Sequence, residues 1–361
     1  MLIFRAFAFA VTGLALCASS AYAAKASKVA DLHGAAYVVR CNPEGTWAAT
    51  WATTPKGGGY TLYVIDTAKG DKRQVDTCPD PGGLCWIPNR NVLYYCKGKP
   101  VSSQIAGKFT SVTYFIYDVA KGTSKKVPGA DLKDQLDTYI IDPVAAEDGS
   151  KIFHMTIDRD LPSFNIYFPG SNLISPMYVK AKVAADYDLS SDGQTLYWPM
   201  TEQSGKLIIA GWGFKKNYYS GLYEIKKDPA TGRAGFKVDS TNKQAVTMAS
   251  SSTDSALKAV VYSFKDPKTP QAIPVKLNPN EDIVMLDWKG RTGLLYILVG
   301  REANDKRLYS VIELNPATGG RTVVLPDSSD EIQFVDYASR SGAYFYAAVI
   351  PNKGSRIVKV Q

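Results

Sequence analysis

Only two imidazoles, His33 and His154, occur in the 361 residues, so a histidine acid or base near neutral pH could only be one of these two. A serine hydrolase needs a histidine base next to a serine held on a strained elbow, and no Gly-x-Ser-x-Gly is present. His33 lies beside a predicted strand and His154 inside one, which is the setting of a packed, hydrogen-bonded ring. Carboxylates offer a second chemistry. Asp158 and Asp160 close one predicted strand, and Asp186 and Asp188 sit on another, where they could hold calcium. The run from Asp186 to Asp192 lacks the ligand spacing of a calcium loop, and short acidic clusters at strand ends ordinarily cap turns. No metal and no cofactor is therefore expected.

The residues best suited to binding are aromatic and basic. Trp212, Phe214, Lys215, Lys216, Tyr218 and Tyr219 fall together. Aromatic planes beside ammonium groups suit a sugar, a peptide or an anionic ligand. They could equally pack a loop onto its own sheet, and both readings stand at this point. The other tryptophans, Trp47, Trp51, Trp86, Trp198 and Trp288, lie in predicted strands, where packing is the default.

The elements that must position these residues repeat. A turn rich in Asp, Gly and Ser precedes a short apolar strand at Asn42-Pro43-Glu44-Gly45, Glu147-Asp148-Gly149-Ser150 and Ser191-Asp192-Gly193. A second phrase of the Leu-Tyr-x-x-Asp type, ending in Gly, appears at Leu62–Gly70, Phe115–Gly122, Leu222–Gly232 and Leu308–Gly319. Strand signals dominate and no long segment has helical periodicity. A self-similar unit of this size predicts an all-β chain folded as a β-propeller of four-stranded blades, A to D. Gly70 to Gly122 spans 52 residues, Gly149 to Gly193 spans 44, and Gly232 to Gly319 spans 87, or two units. Seven blades follow, with six or eight still open.

The predicted blades run 35–76, 84–127, 138–179, 184–239, 244–277, 282–325 and 331–361. The fifth has an indistinct last strand and the seventh holds only three strands. Lys28–Leu32 supplies the missing one, so an N-terminal strand should pair with the last blade and close the ring. Two long B–C connections, 97–110 and 201–220, fall on one face of the disk. Lengthened loops on one face are where propellers usually bind, which makes that face the expected binding surface.

Residues 1–23 read as a cleaved signal peptide: Arg5, an apolar stretch from Ala6 to Leu16, and the small-x-small pattern Ala21-Tyr22-Ala23. Leu16, ahead of Cys17, does not suit lipidation. Residues 24–361 then form one domain, periplasmic or secreted, with no transmembrane stretch. Removing Arg5 lowers the formal charge from +8 to +7. The lysines are scattered, so the charge reads as solubility and no nucleic-acid partner is expected. Cys41, Cys78, Cys85 and Cys96 remain, their spacing is not that of a zinc site, and an oxidising compartment favours disulfides. Cys41 sits at the opposite end of the strands from the other three, about 17 Å away. One bridge is expected among Cys78, Cys85 and Cys96, with Cys41 outside it.

These turns and strands resemble the WD40-like Ser-Pro-Asp-Gly repeats of TolB-type periplasmic propellers. Asn42-Pro43-Glu44-Gly45 and Ser190-Ser191-Asp192-Gly193 match closely. Blades 2, 5, 6 and 7 depart from the pattern, at Asn89-Arg90, Thr253-Asp254-Ser255, Lys289-Gly290-Arg291 and Ser339-Arg340-Ser341-Gly342. Leu308–Leu325 is also similar to the N-terminal propeller of prolyl-oligopeptidase-like serine peptidases. The resemblance implies a propeller over nearly the whole mature chain, and it is compatible with several activities. The leading expectation is an exported, non-catalytic, monomeric propeller that binds a protein or cell-envelope component. The alternatives are a lactonase-like or other hydrolase with a metal or polar site in the central channel, and a stand-alone peptidase-type propeller acting with a separate hydrolase.

Overall fold

The computed structural model describes residues 24–54, 57–100, 108–128, 138–140, 143–158, 161–177, 187–201, 206–215, 218–225, 232–239, 243–251, 254–266 and 271–361. The leader, Asp160, Asp186 and Lys216 lie outside the described residues, as do the side chains of Asp158 and Tyr218.

Every regular element among the described residues is a strand, and the strands form seven four-stranded antiparallel blades. Blade 1 is Ala36–Cys41, Trp47–Thr53, Tyr60–Asp66 and Lys72–Cys78. Blade 2 is Asp80–Ile87, Val92–Pro100, Lys108–Asp118 and Thr123–Lys126. Blade 3 is Val144–Ala145, Ile152–Asp158, Leu161–Phe168 and Leu173–Met177. Blade 4 is Asp188–Leu189, Thr195–Thr201, Leu207–Gly213 and Tyr218–Ile225. Blade 5 is Gly232–Asp239, Gln244–Ser251, Asp254–Ser263 and Gln271–Pro274. Blade 6 is Glu281–Trp288, Leu295–Ala303, Lys306–Leu314 and Arg321–Ser328. Blade 7 is Glu331–Ala338, Ala343–Ile350 and Gly354–Val360, completed on its outer edge by Ala26–Leu32. The first strand of each blade touches the first strands of its two neighbours, from blade 1 round to blade 7 and back to blade 1.

The expected closure is present. Ala26 pairs with Val360 and Leu32 with Ser355, with one irregularity after Lys28. Ala30 and Leu32 are buried in the layer between blades 7 and 1. Period-2 alternation explains the rest of the core. Ala48 and Ala52 face blade 7, while Ala49 and Trp51, on the same strand, face blade 2. Seven apolar layers result, one per blade interface.

The repeated turns have a physical basis. Asp66, Asp118 and Asn315 each accept, through Oδ1, two backbone N–H groups of the turn that follows, and the carbonyl of each accepts the N–H of Gly70, Gly122 or Gly319 at 2.8 Å. At the A–B turns, Gly149 has φ +68°, and a Cβ there would stand 2.3 Å from the Pro88 carbonyl of blade 2. The dihedral favours glycine and the close approach of the Pro88 backbone requires it.

Three expectations are corrected. Tyr218–Ile225 carries the pattern expected of a third strand but is blade 4's fourth. The apolar run Leu207–Gly213 takes the third place, and Gly232–Asp239 becomes the first strand of blade 5. Thr138–Ile140 is not the first strand of blade 3. It pairs with Lys108–Asp118 on one side and Ile152–Asp158 on the other, joining blades 2 and 3 into one nine-stranded sheet. No disulfide joins any of Cys41, Cys78, Cys85 and Cys96. Cys78 faces the layer between blades 1 and 2, whereas Cys85 and Cys96 face the layer between blades 2 and 3. The Cys96 thiol is directed at the Gly83 carbonyl, 3.6 Å away, and burial pushes the Cys78 thiol up to about 12.

Candidate functional site

Among the described residues of the aromatic–lysine cluster, Trp212, Phe214 and Tyr219 pack onto strands. Trp212 lies in the third strand of blade 4 and is buried in the layer shared with blade 3. Phe214 stacks on Phe153 of blade 3 with centroids 4.7 Å apart, and Trp212 meets Tyr219 edge-on at 5.2 Å. Lys215 is exposed. So the described part of this segment is strand, Leu207–Gly213 paired with Tyr218–Ile225, and Trp212 and Phe214 pack against the neighbouring blade. Trp51 and Trp198 are likewise buried between blades.

The polar groups that do converge lie along the inner strands. Asp336 of blade 7 accepts the Cys41 N–H of blade 1 through Oδ2 at 2.7 Å and stands 3.8 Å from Arg40 Nη1. The Arg40 carbonyl accepts the indole N–H of Trp86, blade 2, at 2.9 Å. The same relay recurs half a ring away. Asp188 of blade 4 accepts the Val238 N–H of blade 5 at 2.8 Å, and the Lys237 carbonyl accepts the Trp288 indole N–H of blade 6 at 3.1 Å. Lys237 Nζ is 3.9 Å from Asp287. These carboxylates and indoles link blades in threes. Burial raises Asp188 to about 6, against the nearby Lys237, and raises Asp336 too, against Arg40.

A carboxyl raised in the folded state holds its proton more tightly there than in the unfolded chain. Its stabilisation is full at low pH and is lost as pH rises from 3.8 through about 6, a change of about 3 kcal/mol. Asp188→Asn, which does not titrate, is therefore expected to gain on the wild type by most of that amount, about 2 kcal/mol, between pH 4 and pH 7. Urea melts at both values measure it, and curves that stay parallel rule it out.

Above these relays the channel opens on the face that carries the A–B turns. A cavity of about 330 Å³ is lined by Pro43, Pro88, Glu147, Lys289, Gly290, Arg291, Thr292, Tyr337, Ser339 and Arg340, from blades 1, 2, 3, 6 and 7. A second, of about 120 Å³, includes Glu147, Asp188, Ser190, Val238, Asp239 and Arg291, from blades 3 to 6. Together the two cavities draw on every blade. Arg291 pairs with Glu147 across the ring and borders both. Arg340 pairs with Glu44 and Asn89. Lys289 is held by Glu313 at 2.5 Å and lies over the rings of Tyr337 and Tyr344.

His154 is buried, and its Nδ1 lies 3.1 Å from the Tyr94 hydroxyl. Among the described residues no three His, Cys, Asp or Glu side chains converge as a metal site. The cations at the mouth were not singled out from sequence. A signal was present: blades 2, 6 and 7 lose the acidic Asp-Gly turn and carry Arg90, Arg291 and Arg340 there instead.

No protein-family model and no curated protein matches the chain. Solved structures do. The β-propeller domain of the Trilobed protease from Pyrococcus furiosus, described as having an open velcro topology, aligns over 91% of this chain and 96% of its own, with a TM-score of 0.64 and 11% identity. Kuenenia stuttgartiensis hydrazine synthase aligns over the same shares with a TM-score of 0.60 and 11% identity. The likeness is one of fold.

Proposed function

We propose that the chain is an exported, non-catalytic, monomeric β-propeller, TolB-like in kind, that binds a protein or another cell-envelope component. Export to the periplasm or beyond rests on the leader, cleaved after Ala23, which leaves residues 24–361 as one domain. The binding surface in this reading is the channel mouth on the A–B face, rather than the B–C face favoured by loop length. The observation that carries it is the convergence of all seven blades on two adjoining cavities rimmed by the solvent-exposed guanidinium groups of Arg291 and Arg340. Arginine and tyrosine at the centre of a concave patch are typical anchors of a protein interface.

The test is capture from envelope extract by the mature protein beside an Arg291→Glu, Arg340→Glu double variant. A partner held by wild type should be lost at least about tenfold by the variant, the cost of removing one or two such anchors. Equal capture by both removes the mouth from consideration.

A hydrolase with a polar site in the channel is the alternative, favoured by Asp188. Its carboxyl, near 6 at the edge of the smaller cavity, is in the range useful for acid–base work. Lactone or ester hydrolysis lost in Asp188→Asn with binding intact would favour that reading.

A further inference from the structure

The two cavities at the mouth differ in chemistry. The larger one is lined by three cations, Lys289, Arg291 and Arg340, against one carboxylate, Glu147. The smaller is lined by the carboxylates Asp188, Asp239 and Glu147 with Arg291. Glu147, Gly290 and Arg291 line both, and Glu147 and Arg291 form an ion pair there.

The three cations are held differently. Lys289 and Glu313 are 20% and 16% exposed, and the ammonium is further fixed by two aromatic rings. Arg291 and Glu147 are 60% and 47% exposed, and Arg340 and Glu44 are 48% and 35% exposed. Exposed pairs of that kind contribute little and open easily. A guanidinium presents a planar fork that takes a carboxylate or phosphate in two parallel hydrogen bonds. The mouth therefore holds one fixed cation and two guanidinium groups tethered to the protein's own carboxylates.

We propose that Glu147 is an internal stand-in for a ligand carboxylate. An acidic segment of the partner enters the larger cavity, displaces Glu147 from Arg291, and is held by Arg291, Arg340 and Lys289. The latch between blades 3 and 6 opens as it binds. This rests on the channel-mouth reading above and adds the ligand class and a competitor built into the site. Phosphate presents the same chemistry to a guanidinium and is the other possible source of the anion.

The test is calorimetric titration of the mature protein at low salt with hexaglutamate and, separately, with inorganic phosphate. Glu147→Gln removes the competitor and should tighten hexaglutamate binding by up to about fivefold. Arg291→Gln with Arg340→Gln should weaken it by at least about tenfold. All of these side chains are at least one-third exposed, so melting temperatures should stay close to wild type and report that the fold is intact. Tightening in the first variant and loss in the second support the proposal.

No binding of either probe by wild type overturns it, as does binding unaffected by the arginine changes. Loss in the double variant with no gain in Glu147→Gln overturns the latch while leaving the mouth as the binding surface. Phosphate bound in preference to hexaglutamate overturns a peptide carboxylate as the ligand. Capture of an envelope partner that survives both arginine changes would instead count against the channel-mouth reading itself.

Discussion

Replacing Gly354 by alanine is expected to lower the melting temperature by about 10 °C, and replacing Gly122 by alanine by only about 2 to 4 °C. Both glycines have positive φ, +99° and +65°, so both changes carry the backbone penalty of about 1 to 2 kcal/mol. They differ in what the new Cβ meets. At Gly122 it meets open space. At Gly354 it would stand 2.0 Å from the Leu32 carbonyl and 2.7 Å from the His33 carbonyl carbon. These are backbone atoms of the closing strand and the turn after it, so no rotamer change relieves the contact. The strand Ala26–Leu32 must shift, and with it the pairing from Ala26–Val360 to Leu32–Ser355 and the burial of Ala30 and Leu32.

Deleting residues 24–33 should produce the same loss by a different route. It uncovers the edge of Gly354–Val360, and an unprotected edge pairs with other chains. The truncated protein should therefore associate in a concentration-dependent way. A Gly354→Ala melt that overlays Gly122→Ala, together with a monomeric truncation, would mean that the closing strand contributes little to the ring.

That closure was legible from sequence because blade 7 came up one strand short and Lys28–Leu32 had the right pattern. The turns were legible because Asp66, Asp118 and Asn315, each with its glycine, are held together by local hydrogen bonds. The boundary between blades 4 and 5 was not. Leu222-Tyr223-Glu224-Ile225 has the alternation of a third strand, and alternation is the same for every strand of a blade. The fully buried run Leu207–Ala210 has none. The extra strand Thr138–Ile140 is specified by its two neighbours and has no pattern of its own. Facing separates Cys78 from Cys85, close in number but pointed into different layers, and nothing in the structure explains why Cys85 and Cys96, which share a layer, are unbridged. The channel mouth was illegible for a related reason. Arg340 and Glu44 are 296 residues apart, and Arg291 and Glu147 are 144 apart. Each is an ordinary turn residue until the ring brings the turns together.

His154 is expected to make the protein acid-sensitive from about pH 6.5 downward, above the range in which unperturbed carboxylates titrate. The ring is fully buried between blades 2 and 3, stacked on Tyr114 with centroids 4.1 Å apart and hydrogen-bonded to Tyr94. Burial lowers it from 6.5 to about 3. The unfolded chain takes up a proton near pH 6.5 that the folded chain refuses. The stabilisation is thus complete above 6.5 and is lost as pH falls toward 3, about 5 kcal/mol in all and about 3 kcal/mol by pH 4.5. Asp188 acts in the opposite direction over part of the same window, so the raw pH profile mixes the two. The difference between wild type and His154→Gln isolates one. Glutamine can still accept the Tyr94 hydroxyl and does not titrate. At pH 7 the variant should be the less stable, since it loses the ring stack. On lowering to pH 4.5 the wild type should lose about 3 kcal/mol more than the variant, closing or reversing the gap. Denaturant midpoints at pH 7, 5.5 and 4.5 read it directly. A constant gap across the three would mean that His154 titrates normally in the fold, and that the layer between blades 2 and 3 admits water to it.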